Sequence, residues 1–332
     1  MRTFCAIGSP RERRKGFDMS TFHSTHTACA ADFLSRDGQQ RLNAYYLRQL
    51  AAPSAFDEVP CLTERAAFEA VEQAWSRYEE DRLNLTALPA GVEEFTPWYF
   101  QLHRRHRAQV EPFFEHLANE ASIREMALYI GMEEKVDGRF DDVIALAQLG
   151  MSGDMKLALA ENFWDEMGLG RIDQMHTRLF AHSANHMQRH LAGLDIEALV
   201  PAQAIANGNL LLMYALNRRR AARLLGALAI LEHTAPYRFS RTMRGLRRLG
   251  MPEDVVYYHE LHIEVDANHG KQLLERVLQP LVASSPAALR EVCIGCLIRY
   301  NVALDYYTGL SRVMSQLRQG AHAAAIDTFE TT

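Results

Sequence analysis

From Phe95 onward, apolar residues recur at spacings of three and four, and few segments alternate as a half-buried strand would. Helices are predicted at 98–118, 120–130, 133–149, 154–166, 172–190, 208–233, 237–249, 252–280, 286–301 and 302–318. Turn punctuation is confined to sites such as Gly150, Gly153, Pro201, Gly250–Pro252 and Ser285–Pro286. This pattern predicts an all-α domain too large for one simple four-helix bundle and compatible with a bundle carrying extra helices. Ahead of it, residues 41–50 form a short helical pattern. Thr63-Glu64-Arg65-Ala66 has N-cap character and opens a longer helix bearing Phe68, Val71, Trp75 and Tyr78. The acidic run Glu79-Glu80-Asp81 reads as a solvated helix end, and Pro89 and Gly91 mark a linker. The expected organisation is a disordered or frayed segment over 1–35, a helical extension over 36–92, the main domain over 93–320 and a tail over 321–332. Arg11, Arg13, Arg14 and Lys15 precede no apolar stretch, so they do not form a secretory signal. Either they belong to a basic tail, or translation starts at Met19 and residues 1–18 are not native.

A net charge of −5 supplies no positive field to draw in phosphates, which argues against nucleic acid as a partner. No apolar run approaches the length of a transmembrane helix, so no membrane partner is expected. The five cysteines, Cys5, Cys29, Cys61, Cys293 and Cys296, are scattered and odd in number, as in a reduced cytoplasmic protein. The helices before residue 90 could serve a homodimer interface.

Within 252–280 lies His262-Ile263-Glu264-Val265-Asp266-Ala267-Asn268-His269. Positions four and seven apart share a helical face, so His262, Asp266 and His269 project together. They sit between an aromatic-rich run (Val255, Val256, Tyr257, Tyr258) and an apolar one (Leu273, Leu274, Val277, Leu278). If buried, such a trio needs a partner, and a divalent metal is the usual one. A satisfied polar face is the alternative.

Three stretches could complete a metal site. Glu166 and His176 flank Gly168 and Gly170; on an ideal helix they are about 80° out of alignment. The glycines either distort one helix so that both residues point inward, or cap one helix before another begins at 171. Glu232 ends the apolar run from Leu224 and is either a surfacing point or a buried carboxylate that needs a cation. The acidic run Glu133 to Asp142 is mostly solvated in expectation, yet Glu134 and Asp141, seven apart, share a face that Asp137 flanks.

Weaker candidates remain. His103, His106 and His116 read as surface or rim residues. Cys293-Ile294-Gly295-Cys296 has the spacing of a redox or zinc half-site but lacks a second cysteine pair, which favours core cysteines. Arg218–Arg220 and Arg244–Arg248 read as solvated faces that could steer an acidic substrate. Tyr257, Tyr258, Phe163 and Trp164 adjoin the metal candidates and are either core or substrate-lining. The chain has neither a glycine-rich phosphate loop nor a Gly-x-Ser-x-Gly elbow.

Taken in order, Phe140-Asp141-Asp142, Asn162-Phe163-Trp164-Asp165-Glu166, His176, Glu232 and His262-x3-Asp266-x2-His269 resemble the heme-oxygenase-like diiron oxidases and oxygenases, also called iron-containing redox enzymes. The likeness covers roughly residues 95–320. It implies a heme-oxygenase-like bundle of about seven core helices, two iron ions, O2 as co-substrate and an external electron donor. His176, Glu232 and His269 would hold one iron, His262 and Asp266 the other, with Glu166 bridging. Members that oxygenate nitrogen add a seventh ligand, a carboxylate on the preceding helix. Counting puts Phe140 there, which cannot ligate, so Asp141, Glu134 or Asp137 would have to take its place. The implied reaction is N-hydroxylation of an amino-acid-derived metabolite, free or tethered to a carrier protein. Oxidative C–C cleavage or decarboxylation of an amino or fatty acid is the neighbouring alternative, and a metal-free helical scaffold or binding module the alternative of another class.

Overall fold

The structure is a computed structural model that describes residues 32–52 and 61–329, with side chains through residue 320. The expected N-terminal segment as far as residue 31, the alternative starts at Met1 and Met19, and Cys5 and Cys29 lie outside the described residues. Among the described residues every regular element is a helix. In chain order these are α1 (Arg36–Gln49), α2 (Leu62–Asp81), α3 (Val92–Asn119), α4 (Ile123–Asp137), α5 (Phe140–Ala147), α6 (Gly153–Glu166) and α7 (His176–Gln188). A single turn at Ile196–Leu199 precedes α8 (Ala202–Leu216), α9 (Ala221–Arg248) and α10 (Glu253–Gln272). A π-helical stretch, Leu273–Leu278, leads into α11 (Gln279–Ser284) and the long α12 (Pro286–Phe329).

Several boundaries differ from the predicted ones, each for a local reason. Residues 120–130 and 133–149 divide at Gly138 instead, because Ser122 and Glu125 close a capping box that starts one continuous α4. Glu134 and Asp141 therefore lie on different helices and share no face. The predicted break near 234–236 is absent, and Pro236 sits inside α9. Proline there removes only the N–H that would reach the Glu232 carbonyl, while the Thr234 hydroxyl donates to the Ile230 carbonyl at 2.8 Å. The chain breaks at Asn217 instead, whose side chain caps the turn Arg218–Arg220.

α9 is the central helix, packed on α3, α10 and α12; α4 and α10 both lie against α7, and α8 against α1, α4 and α12. Gly226 of α9 and Gly295 of α12 bring these two backbones together, since a Cβ at Gly295 would lie 2.1 Å from the Arg223 carbonyl oxygen. Gly295 thus serves close packing, and Cys293 and Cys296 beside it are core residues. Burial pushes the Cys293 thiol up to about 12.

The apolar core has two clusters. One gathers Leu42, Tyr46 and Trp75 of the N-terminal helices with Tyr99, Leu224–Leu231 and Val292. The other gathers Phe113, Phe114, Tyr129, Phe180, Phe239 and Tyr306. A polar layer lies between them. On α3 it falls at His106, on α4 at Glu133, on α9 at Glu232, and on α10 across His262, Asp266 and His269, all buried. The acidic run at the end of α2 is not wholly solvated either: Glu79 is buried and accepts from the Trp75 indole N–H at 3.1 Å.

Candidate metal centre

The six sequence candidates come together in this layer as two groups. Glu166, His176 and His262 form one, and Glu232, Asp266 and His269 the other; within each, the potential donor atoms lie within 4.8 Å of one another, and all six residues are buried. Glu232 is 1 % exposed, which excludes the surfacing role.

Glu166 ends α6 and His176 opens α7, the cap-and-restart alternative rather than one distorted helix. The strap between them turns through three successive left-handed residues, Gly168 (φ 60°), Leu169 (φ 54°) and Gly170 (φ 83°). Gly168 also passes so close to the peptide before His176 that a Cβ would stand 2.4 Å from the Gln174 carbonyl carbon. The strap folds His176 back onto Glu166, with His176 Nδ1 3.0 Å from Glu166 Oε2 but without hydrogen-bond alignment. The His262 ring meets that of His176 at 4.4 Å between centroids. Its Nδ1 lies 2.6 Å from the Tyr258 carbonyl, which can only accept, so Nδ1 carries the proton and Nε2 keeps a lone pair.

In the second group, His269 Nδ1 is 3.8 Å from Glu232 Oε2 and 4.0 Å from Asp266 Oδ1. Its Nε2 bonds Asp165 Oδ2 at 2.9 Å, and Asn162 Nδ2 donates to Glu232 Oε1 at 3.1 Å. Asn162 and Asp165 stand in the stretch that ends at Glu166, where sequence reasoning assigns neither of them a role. The signal was available, because Asn162 precedes Glu166 by four, one turn on the same face.

This partition differs from the one the resemblance implies. His176 joins Glu166 and His262 rather than Glu232 and His269, because the strap returns it to the end of α6. Asp266 joins His269, three residues on, rather than His262.

The electrostatics fit a site that a bound cation would stabilise. Burial, reinforced by the Glu232 charge, holds the Asp266 carboxyl well above the usual carboxylate range. Burial works against charge on His269, yet the hydrogen bond it donates to Asp165 and the carboxylate of Glu232 outweigh it and raise its pKa to about 11. His262 is pushed well below its ordinary value by burial and by His176. The Nδ1 atoms of His176 and His269 are buried without hydrogen-bond partners. Orphaned imidazole nitrogens among buried carboxylates are donors fit for a divalent iron ion.

The three further carboxylates fall in neither group. Glu134 is exposed and pairs with Lys135 at 3.7 Å. Asp137 is buried and 3.4 Å from Arg238, which also binds Glu133. Burial lifts Asp137 to about 6 against the pull of Arg238. Asp141 is half-buried and accepts the Asp142 N–H at 2.9 Å; it and Asp137 both feel the charge of Glu166.

The family model described as iron-containing redox enzyme matches residues 128–304, over half of the chain and inclusive of all six residues. The chain belongs to the iron-containing redox enzyme family. The all-α bundle of this redox enzyme is accordingly of the heme-oxygenase-like kind. No curated protein matches the chain.

Of the aromatic candidates in this redox enzyme, Tyr258 is buried with its ring 4.1 Å from that of His262, whereas Trp164 is 52 % exposed. Of the histidines read as rim residues, His106 is not one. It is 4 % exposed, with both ring nitrogens unpartnered, and burial followed by the Arg299 charge lowers it to about 3.

Proposed function

We propose that this redox enzyme is an O2-dependent diiron oxygenase that hydroxylates an amine nitrogen of an amino-acid-derived metabolite, free or carrier-tethered, in the cytoplasm. One observation carries the reading: two adjoining groups of buried carboxylates and imidazoles, each able to hold one metal. Glu166, His176 and His262 would hold one iron and Glu232, Asp266 and His269 the other. Asp141, near Glu166 and bonded only to the Asp142 N–H, would be the added carboxylate. Iron bound there would supply O2 binding and electron transfer, which side chains do not provide.

The protein's own part is orientation and exclusion. The Tyr258 carbonyl fixes the tautomer of His262, Asp165 fixes the ring of His269, and Asn162 fixes the carboxylate of Glu232. The two apolar clusters keep bulk water from the layer. In the overall balance one oxygen atom enters the substrate as N–OH. The other leaves as water with two protons and two electrons from an external donor.

The test is anaerobic loading with Fe(II), addition of an amine panel, then O2, with product masses read. A gain of one oxygen atom supports N-hydroxylation, and loss of a carbon fragment would replace it with C–C cleavage. A His262→Ala protein that consumes O2 like the wild type would sink the diiron reading.

A further inference from the structure

Tyr258 lies one helical turn before His262 and touches it twice. Its ring stands 4.1 Å from the His262 ring between centroids, and its backbone carbonyl accepts the His262 Nδ1–H at 2.6 Å. Among the described residues, the aromatic side chains packed on a candidate ligand ring are Tyr258 and Phe239, apart from the ligand imidazoles themselves. A phenol gives up an electron far more readily than the phenyl ring of Phe239, so Tyr258 is the oxidisable group at the site. Tyr257, beside it in the chain, faces outward: it is 39 % exposed and donates its hydroxyl to Gln174 at 3.2 Å.

The surroundings of Tyr258 suit a group that loses an electron and holds the vacancy in place. It is buried, and its other ring neighbours are Phe180 at 5.2 Å, Phe239 at 5.6 Å and His259 at 5.2 Å. None of these is another tyrosine or tryptophan, so oxidation stops at Tyr258. Loss of an electron makes a phenol strongly acidic, and a proton acceptor must then be near. Asp137 is the charged group that acts most strongly on the Tyr258 hydroxyl, ahead of Arg238, Glu166 and Asp266. It is buried, accepts from Arg238 at 3.4 Å and belongs to neither metal group. Glu133, the other carboxylate on Arg238, already accepts the Tyr306 hydroxyl at 2.7 Å.

We propose that Tyr258 is a redox-active tyrosine, an internal one-electron donor that protects the candidate iron site when O2 reacts without substrate bound. Tyr258 gives one electron to the irons that O2 has oxidised. Its O–H bond breaks, the proton moves to an Asp137 oxygen, and a neutral tyrosyl radical remains. The external electron donor later returns one electron, and Asp137 returns the proton. Without such a group, an oxidant sealed from water would take its electron from the ligand imidazoles or their neighbours, which are not restored. The proposal rests on the oxygenase reading, but its readout is a radical rather than a product.

The experiment is electron paramagnetic resonance on the full chain, loaded anaerobically with Fe(II), exposed to O2 with no amine present and frozen. Iron content and O2 uptake are measured on the same samples. The wild type should give an organic radical signal that narrows when the protein is made with ring-deuterated tyrosine. Tyr258→Phe keeps the ring and the backbone carbonyl, so it should bind as much iron yet lose the signal. Asp137→Asn should lose most of it, whereas Tyr257→Phe should keep it in full. Peptide mass spectrometry after repeated exposure to O2 should find more oxygen added around His262 in Tyr258→Phe than in the wild type. The proposal is overturned if a wild type that takes up iron and consumes O2 shows no radical, or if the signal survives in Tyr258→Phe. It is equally overturned by a full signal in Asp137→Asn, by loss of the signal in Tyr257→Phe, or by equal oxidation around His262 in Tyr258→Phe and the wild type. A chain that takes up no iron would overturn the oxygenase reading, and this proposal with it.

Discussion

At the scale of single residues, the groups beside the candidate ligands matter as much as the ligands. Asp165 holds the Nε2–H of His269 and so turns Nδ1 toward Glu232 and Asp266. Asp165→Ala should weaken metal binding at that group by roughly 10–100-fold, read by Zn(II) competition with a chelator. The shifts on Asp266 and His269 are both upward, so each holds its proton more tightly than an ordinary carboxyl or imidazole does. Metal must displace those protons, so affinity should rise with pH and titration in weak buffer should acidify the solution. His106 shows the opposite sign. Its folded pKa of about 3 lies below the ordinary 6.5, so its neutral form contributes stability above 6.5 that is lost as pH falls toward 3. At pH 5 the cost is about 2 kcal/mol at about 1.4 kcal/mol per unit. His106→Leu should therefore raise the urea midpoint at pH 5, with a smaller gain at pH 7.5. Glu166, His176, Glu232 and the α10 trio were legible in sequence because helical spacing and a charge inside an apolar run both leave marks. The burial of His106 was not legible, because the groups around it, Glu133, Asn207 and Arg299 among them, come from helices distant in the sequence.

At the scale of elements, the strap from Glu166 to His176 decides which residues meet. Ten residues of helix would leave the two side chains apart, and the glycine turns bring them to 3.0 Å. Gly168→Ala meets both a left-handed φ and the Gln174 peptide, a strain of order 1–2 kcal/mol before the clash. The variant should stay helical by circular dichroism yet retain metal only at the Glu232 group, which elemental analysis would read as one ion per chain in place of two. The two glycines were visible in the sequence, but whether they bent one helix or ended it was not, since both readings satisfy the local rules. Helix ends at Gly138 and Asn217, and the continuity of α9 through Pro236, were likewise settled by capping and packing rather than by periodicity.

At the scale of the molecule, two apolar clusters meet across a polar layer that contains every candidate ligand together with Arg238, Glu133 and Arg299. The N-terminal helices contribute Tyr46 and Trp75 to the first cluster, so they are part of what seals the layer. Such a layer is costly to bury without cations. The central claim is that it exists to hold two irons, one in each group. Iron bound per chain, measured after anaerobic loading of the wild type and of Glu166→Ala and Glu232→Ala, tests this most directly. Two irons are expected in the wild type and one in each variant; a single iron in the wild type, or two retained in both variants, would rule out one iron per group.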